Sequence, residues 1–429
     1  MSYQDFLSAK KTRAHAAGRT INPTTLPTML HPWQAEIVTW ACEVGRAAIW
    51  ADTGLGKTFM QVAWLQQMAS TGLIVAPLAV CQQTVREAAK LGIPLTYTRE
   101  HPADPGLYVT NYEMVQHFDP ASLDAVVLDE ASILKQSDGK TRTMLIRHFD
   151  RVPYRLSCTA TPAPNDPEEL TNQAEFLGHM TRTHMLAAYF VHDDTGWRLK
   201  GHARRPMYQW MATWALAIRR PSDMGHPDDG YILPGLEIIP QMVHADIHAD
   251  DQLFATDLGG VGGRAKIRKQ TLGARVARAA GLVAAEPDDP WLLWCGLNAE
   301  SEALARAIPG AVNIHGSMTP EEKAELLLGF ADGQFRVMIT KPSIASQGLN
   351  YQHCARMAFV GLSDSYEQYY QAIRRCYRYG QNRVVHAHVV LSELEGQIAA
   401  NVARKERDAT DITSALVAEM RRARMEHAA

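Results

Sequence analysis

The sequence predicts an α/β protein of two lobes in tandem, each built on a parallel β-sheet. Short apolar runs alternate with helix-length segments in two separate blocks of the chain. Continuous apolar strands divided by helices indicate a parallel sheet covered on both faces. The chain has 429 residues and 46% hydrophobic content, which suffices for two or three domains.

The first block runs from about residue 46 to residue 162 and contains five apolar runs that we expect to be strands. Helix-length segments lie between several of them, including Thr58–Ala69 and Val80–Leu91. The expected strands are Arg46–Trp50, Leu73–Ala76, Leu107–Thr110, Ala125–Leu128 and Tyr154–Ser157.

The second block, from about residue 291 to residue 391, repeats this pattern. Its expected strands are Trp291–Cys295, Val337–Thr340, Met357–Val360 and His386–Leu391. The stretch between the blocks is rich in Trp, Met, His and Arg and ends in Gly259–Gly263, which predicts a flexible joint. The Ala-, Arg- and Glu-rich C-terminus predicts a helix.

These patterns divide the chain into five expected segments. They are an N-terminal extension (1–21), a first lobe (22–179), an inter-lobe insertion and linker (180–265), a second lobe (266–400) and a C-terminal helical tail (401–429).

Charge and cysteine content exclude several classes of protein. Lys plus Arg total 43 and Asp plus Glu total 46, and a net charge of −3 excludes a histone-like protein that binds nucleic acid by bulk charge. A local basic groove that binds nucleic acid is compatible with this net charge. The six cysteines are scattered without a CxxC pair, which favours a reducing compartment and no structural zinc. With no apolar run of membrane-span length and no signal-peptide core, we expect a soluble intracellular protein.

A phosphate-binding loop is predicted at Ala51-Asp-Thr-Gly-Leu-Gly-Lys-Thr58, between a strand and a helix. Thr53, Gly54 and Gly56 let backbone N–H groups approach the phosphates, and the helix N-terminus adds a favourable partial charge. Lys57 is then suited to contact the outer phosphates and the Thr58 hydroxyl to bind Mg²⁺. Ala51 stands where the strict pattern has Gly, and a Gly-rich turn without a ligand is the alternative.

Two adjacent carboxylates end the apolar run Ala125–Leu128. The carboxyl end of a parallel strand lies at the sheet edge where the phosphate loop also opens. We therefore expect Asp129 to hold Mg²⁺ and Glu130 to orient and deprotonate the attacking water. A solvated turn after the strand is the alternative, and the nearby Lys57 loop disfavours it.

Further motifs, in order with these two, resemble the superfamily-two helicases and translocases. Leu30-His-Pro-Trp-Gln34 is similar to the "LRPYQ" segment of the Swi/Snf-type DNA translocases, and the resemblance implies that Gln34 recognises adenine. Pro77 and Thr110 match motifs that contact the nucleic-acid backbone. Leu156-Ser-Cys-Thr-Ala-Thr-Pro-Ala-Pro-Asn165 resembles "LTGTPxxN", which implies that Thr159 and Thr161 couple hydrolysis to the second lobe. Compact phage- or prophage-encoded DEAD/DEAH-box-like helicases are the most similar group.

The second block carries the more discriminating part of this resemblance. Gln371-Ala-Ile-Arg-Arg-Cys-Tyr-Arg-Tyr-Gly-Gln381 resembles "QxxGRxxRxGQ", with Arg374 where the family has Gly. The resemblance implies two RecA-like lobes. It assigns Arg375 and Arg378 as arginine fingers and Gln371 as a coupling residue. It also implies that Gly348, within Ser346–Gln352, binds ATP, and that His315 and Gly316, within Asn313–Ser317, bind DNA. A solvated basic helix is the alternative for the arginines.

Three other clusters have mainly structural explanations. The alternation from Ile238 to Asp251 fits a half-buried strand better than a metal site. The stripe of Trp210, Met211, Trp214 and Leu216 fits packing better than base stacking. Arg204 and Arg205 are candidates for DNA phosphate contact, with a solvated surface as the alternative.

The resemblance implies a nucleic-acid-dependent ATPase that uses ATP and Mg²⁺ to move along DNA, with duplex favoured over single strands. It also implies the cytoplasm of a bacterial or phage-infected cell. Two alternatives stay open. A DEAD-box-type RNA helicase is disfavoured because Asp129-Glu-Ala-Ser132 replaces DEAD, and a nucleotide-dependent switch or assembly factor is disfavoured by Arg375 and Arg378.

Overall fold

The computed structural model describes residues 18–135, 139–163, 166–194, 196–244, 269–345, 350–361 and 365–392, with residues 404, 407, 410–419, 421 and 422. These residues form two compact units. One contains the described residues of Met1–Tyr231 and Arg407–Ala429, and the other those of Ile232–Glu406. The predicted joint at Gly259–Gly263, the predicted ATP ligand Gly348 and the N-terminal extension up to residue 17 lie outside the described residues.

The first unit is organised around a seven-stranded parallel sheet. The strands of this unit are β1 (Arg46–Ala51), β2 (Gly72–Ala76), β3 (Thr96–Tyr97), β4 (Leu107–Asn111), β5 (Ala125–Asp129), β6 (Tyr154–Cys158), β7 (Phe190–Asp193), β8 (Gly196–Leu199) and β9 (Ala215–Ile218). The sheet order is β3-β4-β2-β5-β6-β1-β9, while β7 and β8 form a separate antiparallel pair. All five strands predicted for the first block are present.

Helices connect these strands as a parallel sheet requires. They are α1 (Pro32–Val44), α2 (Lys57–Met68), α3 (Leu78–Lys90), α4 (Lys140–His148), α5 (Leu170–Leu177), α6 (Arg182–Tyr189) and α7 (Arg204–Met211). The two predicted helices, Thr58–Ala69 and Val80–Leu91, correspond to α2 and α3.

The second unit contains a six-stranded parallel sheet of order β10-β15-β14-β11-β13-β12. Its strands are β10 (Leu236–Val243), β11 (Trp291–Trp294), β12 (Val312–Asn313), β13 (Val337–Thr340), β14 (Arg356–Phe359) and β15 (Val385–Ser392). Its helices are α8 (Leu272–Ala285), α9 (Asn298–Ala307), α10 (Pro320–Ala331), α11 (Pro342–Ala345) and α12 (Tyr366–Ile373). Two parallel sheets in tandem confirm the predicted fold class.

The units divide the chain at other positions than the expected lobe boundaries. Much of the expected insertion belongs to the first unit, because β9 pairs with β1 and extends the first sheet. The start of the second unit, β10, pairs with β15 instead. Helical residues 410–419 of the expected tail return to the first unit, where Leu416 and Val417 join its apolar core. Pairing between residues far apart in the chain does not change the local composition, so the composition could not predict these boundaries.

The Trp- and Met-rich stripe is part of the core of the first unit. Trp210, Met211, Trp214 and Leu216 are all buried. The Trp214 ring meets the Trp50 ring edge-on at 5.9 Å and the Trp210 ring at 5.4 Å. Buried aromatic rings at these separations stabilise a core, so the packing interpretation is confirmed.

His179 makes the stability of this core dependent on pH. Its Nε2 lies 2.7 Å from the Arg46 carbonyl oxygen, which can only accept, and its ring stacks on Trp214 at 5.0 Å. Burial lowers the pKa of His179 from 6.5 to about 4. The unfolded chain therefore binds the proton first as pH falls, and the stabilisation present above pH 6.5 is lost between pH 6.5 and about 4.

We expect this histidine to lower the free energy of unfolding by up to about 2 kcal/mol between pH 7 and pH 5, at about 1.4 kcal/mol per pKa unit. His179→Gln, which does not titrate, should remove that part of the pH dependence. Urea unfolding of both proteins at pH 5 and pH 7 measures it. Equal pH dependence in the two proteins would show that His179 does not titrate on unfolding.

No helix among the described residues is both long and apolar enough to cross a membrane. The described part of the chain also contains no group of three or more His, Cys, Asp or Glu side chains arranged to hold a metal ion. Most of the His244–Asp251 cluster lies outside that part, although β10 confirms the predicted strand that leads into it.

Candidate active site

The candidate site lies at the carboxyl ends of three neighbouring strands. β5, β6 and β1 are adjacent in the first sheet, with Asp129 paired to Cys158 and Cys158 paired to Ile49. The phosphate loop follows β1, Glu130 follows β5 and Thr159 follows β6. Parallel pairing thus brings the predicted loop and the predicted carboxylates to one sheet edge.

The phosphate loop has the backbone conformation of a left-handed turn at two glycines. Gly54 and Gly56 have φ values of 87° and 71°, which side chains disfavour. A Cβ on Gly56 would also lie 2.4 Å from the Gln34 amide nitrogen. Gly56 caps α2, so the unpaired N–H groups of the first helical turn face the loop.

Gln34 connects helix α1 to the phosphate loop. Its Oε1 accepts from the His31 N–H at 2.9 Å, and its Nε2 donates to the Leu55 carbonyl at 3.0 Å. The side chain is only 2% exposed. A glutamine amide can make four hydrogen bonds, so the predicted contact with adenine is compatible with these two. That contact stays a prediction.

Lys57 already lies at the start of the loop. Its ammonium donates to the carbonyl oxygens of Ala51 at 2.8 Å and Asp52 at 3.4 Å. Phosphate oxygens carry more negative charge than carbonyl oxygens and would compete with them for the same ammonium. The lysine is therefore placed for the predicted role.

Glu130 has a strained backbone. It is the one residue other than glycine with positive φ, at 53°, in the part of the chain that the structure describes. Such a conformation costs about 1–2 kcal/mol and is typical of functional sites. Thr159 Oγ1 lies 3.5 Å from the Glu130 carboxylate and also accepts from the Thr161 N–H at 3.1 Å. The predicted base therefore contacts Thr159, which in turn is bonded to Thr161.

Asp129 is held by two residues that the motifs did not identify. Gln61 Nε2 donates to Asp129 Oδ1 at 2.6 Å, and the Tyr112 hydroxyl donates to the Asp129 carbonyl at 2.5 Å. The spacing of Gln61, three residues after Thr58 on a helix, could have indicated a shared face. No local signal connects Tyr112 to Asp129.

Ionisable neighbours of Asp129 stay protonated. Burial raises the pKa of Cys81 to about 12, with a further contribution from the Asp129 carboxylate. Burial likewise raises the pKa of Tyr112 and of Cys158 well above their usual ranges, and Asp129 adds to both. Buried thiols of this kind are poor nucleophiles, so these cysteines are structural residues of the site.

The donor atoms of the site fit Mg²⁺. Asp129 offers a carboxylate that is only 6% exposed, and Thr58 lies one helical turn before Gln61, which contacts that carboxylate. Mg²⁺ prefers such oxygen ligands and keeps part of its water shell. Thr58 and Asp129 are therefore suited to hold the ion, as predicted.

The second unit joins its two predicted motifs by hydrogen bonds. Arg378 donates to the Asn350 side chain, and the Arg375 main-chain carbonyl accepts from the Tyr351 N–H at 2.8 Å. Arg375 is buried, and its Nε donates to the Gln371 carbonyl at 3.2 Å. Gln371 is buried too, and among the described residues its Oε1 has no hydrogen-bond partner.

Arg374 fits without the glycine of the family pattern. Its φ of −70° and ψ of −2° are ordinary for any residue at the end of a helix. Its guanidinium lies over the Tyr370 ring at 5.0 Å and the Tyr377 ring at 5.4 Å. Stacking on two aromatic rings stabilises this guanidinium beside them.

The structure places Thr110 within β4, where its side chain is 0% exposed. Alternate residues of a strand face opposite sides of the sheet, and that of Thr110 is covered. The contact of Thr110 with the nucleic-acid backbone stays a prediction. Pro77 is half-buried, before α3 and next to the exposed Leu78.

The other predicted DNA contacts are accessible. Gly316 is exposed, and the His315 ring lies 2.8 Å from the Ser317 hydroxyl in the turn before α10. Arg204 lies over the Tyr208 ring at 5.9 Å. The Arg205 side chain is 63% exposed, 3.9 Å from the Glu419 carboxylate. A surface pair of this length is weak and leaves Arg205 able to contact another anion.

Comparison with known proteins finds two family matches on this chain. Residues 27–185 match the SNF2-related domain, and residues 292–380 match the helicase conserved C-terminal domain. The chain is 24% identical over 176 residues to protein p41 of Acyrthosiphon pisum secondary endosymbiont phage 1. That similarity covers 34% of this chain and 38% of the phage protein, so the chain matches less than half the length of this relative.

Among solved structures, the chain is similar to the Sulfolobus solfataricus SWI2/SNF2 ATPase core in complex with dsDNA. The two are 17% identical, with a TM-score of 0.44, and the superposition covers 93% of this chain and 96% of that chain. The SNF2-related match falls on the first unit and the helicase C-terminal match on the second, in the order that the motifs predicted. Residues 27–185 are therefore similar to the SNF2-related domain and residues 292–380 to the helicase conserved C-terminal domain, in agreement with the motifs.

Proposed function

We propose that this protein is an ATP-dependent DNA translocase that uses Mg²⁺ and prefers duplex DNA. The observation that carries the proposal is the meeting, at one sheet edge, of the Lys57 loop with Asp129 and the strained Glu130. Strain at a carboxylate beside a phosphate loop is expected of a site for nucleotide hydrolysis. The match of residues 27–185 to the SNF2-related domain supports DNA as the partner.

In the proposed reaction each residue has a distinct role. Lys57 and the N-terminus of α2 neutralise the phosphates, while Thr58 and Asp129 hold Mg²⁺, which offsets charge on the phosphate oxygens when bound. Glu130 orients the attacking water and accepts its proton. Arg375 and Arg378 donate to the γ-phosphate, so that hydrolysis requires both units.

We further propose that Thr159, Thr161 and Gln371 transmit hydrolysis to a movement between the units. Thr159 Oγ1 lies 3.5 Å from the Glu130 carboxylate, and the Gln371 main-chain carbonyl accepts from Arg375, so these two residues each contact a catalytic residue. Thr161 is connected to Glu130 through Thr159. A change at the γ-phosphate would alter both contacts. The similarity to a phage protein supports a role in the cytoplasm of a bacterial or phage-infected cell.

The experiment that tests this function compares ATP turnover with duplex DNA, single-stranded DNA and RNA. We expect strong stimulation by duplex DNA, less by single-stranded DNA and little by RNA. Preferential stimulation by RNA would favour an RNA helicase, and turnover indifferent to nucleic acid would favour a nucleotide-dependent switch. Displacement of a triplex-forming strand from duplex DNA then measures translocation directly.

Replacing Arg204 and Arg205 together by Ala should weaken DNA binding equally for all sequences. Each phosphate contact that is lost should reduce the slope of log affinity against log salt by about one unit. ATP turnover without DNA should hardly change. Fluorescence anisotropy of a labelled duplex over a salt series measures both quantities.

Arg147→Ala with Arg151→Ala is the matched control, because it removes two exposed positive charges from the same unit. If both double variants bind DNA with the same affinity and slope, Arg204 and Arg205 contribute only to overall charge.

A further inference from the structure

The helix after the phosphate loop contains a buried amide at the metal end of the site. Gln61 lies four residues after Lys57 and three after Thr58 in α2, so the three side chains share one helix face. The Gln61 side chain is 0% exposed. Fully buried helix positions are usually apolar, so the burial of this polar side chain needs an explanation.

The contact with Asp129 determines the orientation of this amide. A carboxylate only accepts hydrogen bonds, so the Gln61 atom 2.6 Å from Asp129 Oδ1 is the NH₂ nitrogen. Gln61 Oε1 therefore points away from that oxygen. Among the described residues this buried Oε1 has no hydrogen-bond partner.

An unpaired buried acceptor is rare in proteins and indicates a donor that binds there. The neighbouring groups are of little use as donors. Cys158, close to Gln61, has only a weakly donating thiol, and the Tyr112 hydroxyl already donates to the Asp129 carbonyl. Water in the shell of a cation held by Asp129 would be a strong donor for this oxygen.

We propose that Gln61 is a positioning residue for Mg²⁺, which holds Asp129 by its N–H and accepts from a metal-bound water by its Oε1. The proposal rests on the proposed function, because it takes Asp129 as the metal ligand. Mg²⁺ retains several waters in protein sites, and partners that orient its ligands contribute about 10- to 100-fold to metal affinity. Tyr112 holds the Asp129 backbone by its carbonyl, whereas Gln61 contacts the carboxylate itself.

The test is Mg²⁺-dependent nucleotide binding by Gln61→Met, which keeps the side-chain volume and removes both hydrogen bonds. A fluorescent ATP analogue is titrated at a series of Mg²⁺ concentrations and in EDTA. We expect the half-saturating Mg²⁺ concentration to rise about 10- to 100-fold, with affinity in EDTA within about twofold of wild type. A merely structural role would instead weaken binding equally with and without Mg²⁺.

Gln66→Met is the control, because Gln66 is exposed on the same helix. Gln61→Asn provides a second variant, whose amide is one methylene too short to reach Asp129, and it should shift the Mg²⁺ dependence likewise. Circular dichroism and melting temperature establish that each variant is folded.

A folded Gln61→Met or Gln61→Asn protein with wild-type Mg²⁺ dependence would overturn the proposal. Failure of both variants to fold would also overturn it, by assigning Gln61 to core stability. Wild-type protein that does not bind the nucleotide, or binds it without regard to Mg²⁺, would refute the proposed function itself. The two failures are therefore distinguishable.

Discussion

The Glu130→Gln protein should bind ATP and Mg²⁺ with near wild-type affinity and hydrolyse ATP about 10²- to 10⁴-fold more slowly, the usual contribution of a general base. Glutamine has nearly the same shape as glutamate, so the strained backbone at this position, with φ of 53°, should be retained. What is lost is the group that accepts the proton of the attacking water. Single-turnover hydrolysis and nucleotide binding measured on the same preparation separate the two effects.

Lys57→Ala is the contrasting variant. It removes the charge that contacts the outer phosphates, so both nucleotide binding and hydrolysis should fall. Near wild-type turnover by the Glu130→Gln protein would show that another group is the base. Equal loss of binding in both variants would show that Glu130 holds the nucleotide rather than the water.

Replacing Arg375 or Arg378 by Ala should slow hydrolysis by about 10³- to 10⁵-fold, the contribution typical of an arginine finger. Nucleotide binding should change little, because the loop and its lysine belong to the other unit. The Lys variants should recover only part of the activity, since an ammonium keeps the charge but not the planar fork. Turnover at saturating ATP and DNA measures the effect.

Arg374→Gly supplies the control for this pair. It restores the family residue at a position whose φ of −70° requires no glycine, and it removes the stacking on Tyr370 and Tyr377. We expect turnover within a few-fold of wild type. A loss as large as that of Arg378→Ala would assign Arg374 as a finger in its place.

Local patterns of the chain predicted most of the fold. β1, β2 and β5 are mostly apolar runs, and such runs are stable only in a sheet covered on both faces. β9 and the hairpin of β7 and β8 were not predicted. Their positions depend on partners far along the chain, as in the pairing of Ala48 with Ala215.

The sequence by itself determined the phosphate loop, Asp129, Glu130 and the arginine motif, because their chemistry depends on residue types at short fixed spacings. Only the tertiary structure decided which other side chains reach them. Gln61 and Asp129 are 68 residues apart and meet because the helix after β1 packs beside the end of β5. The burial of Thr110 within β4 was likewise not evident from its motif. The spacing of residues along the chain determines local geometry. Burial and long-range hydrogen bonds depend instead on the spatial order of the strands in the sheet.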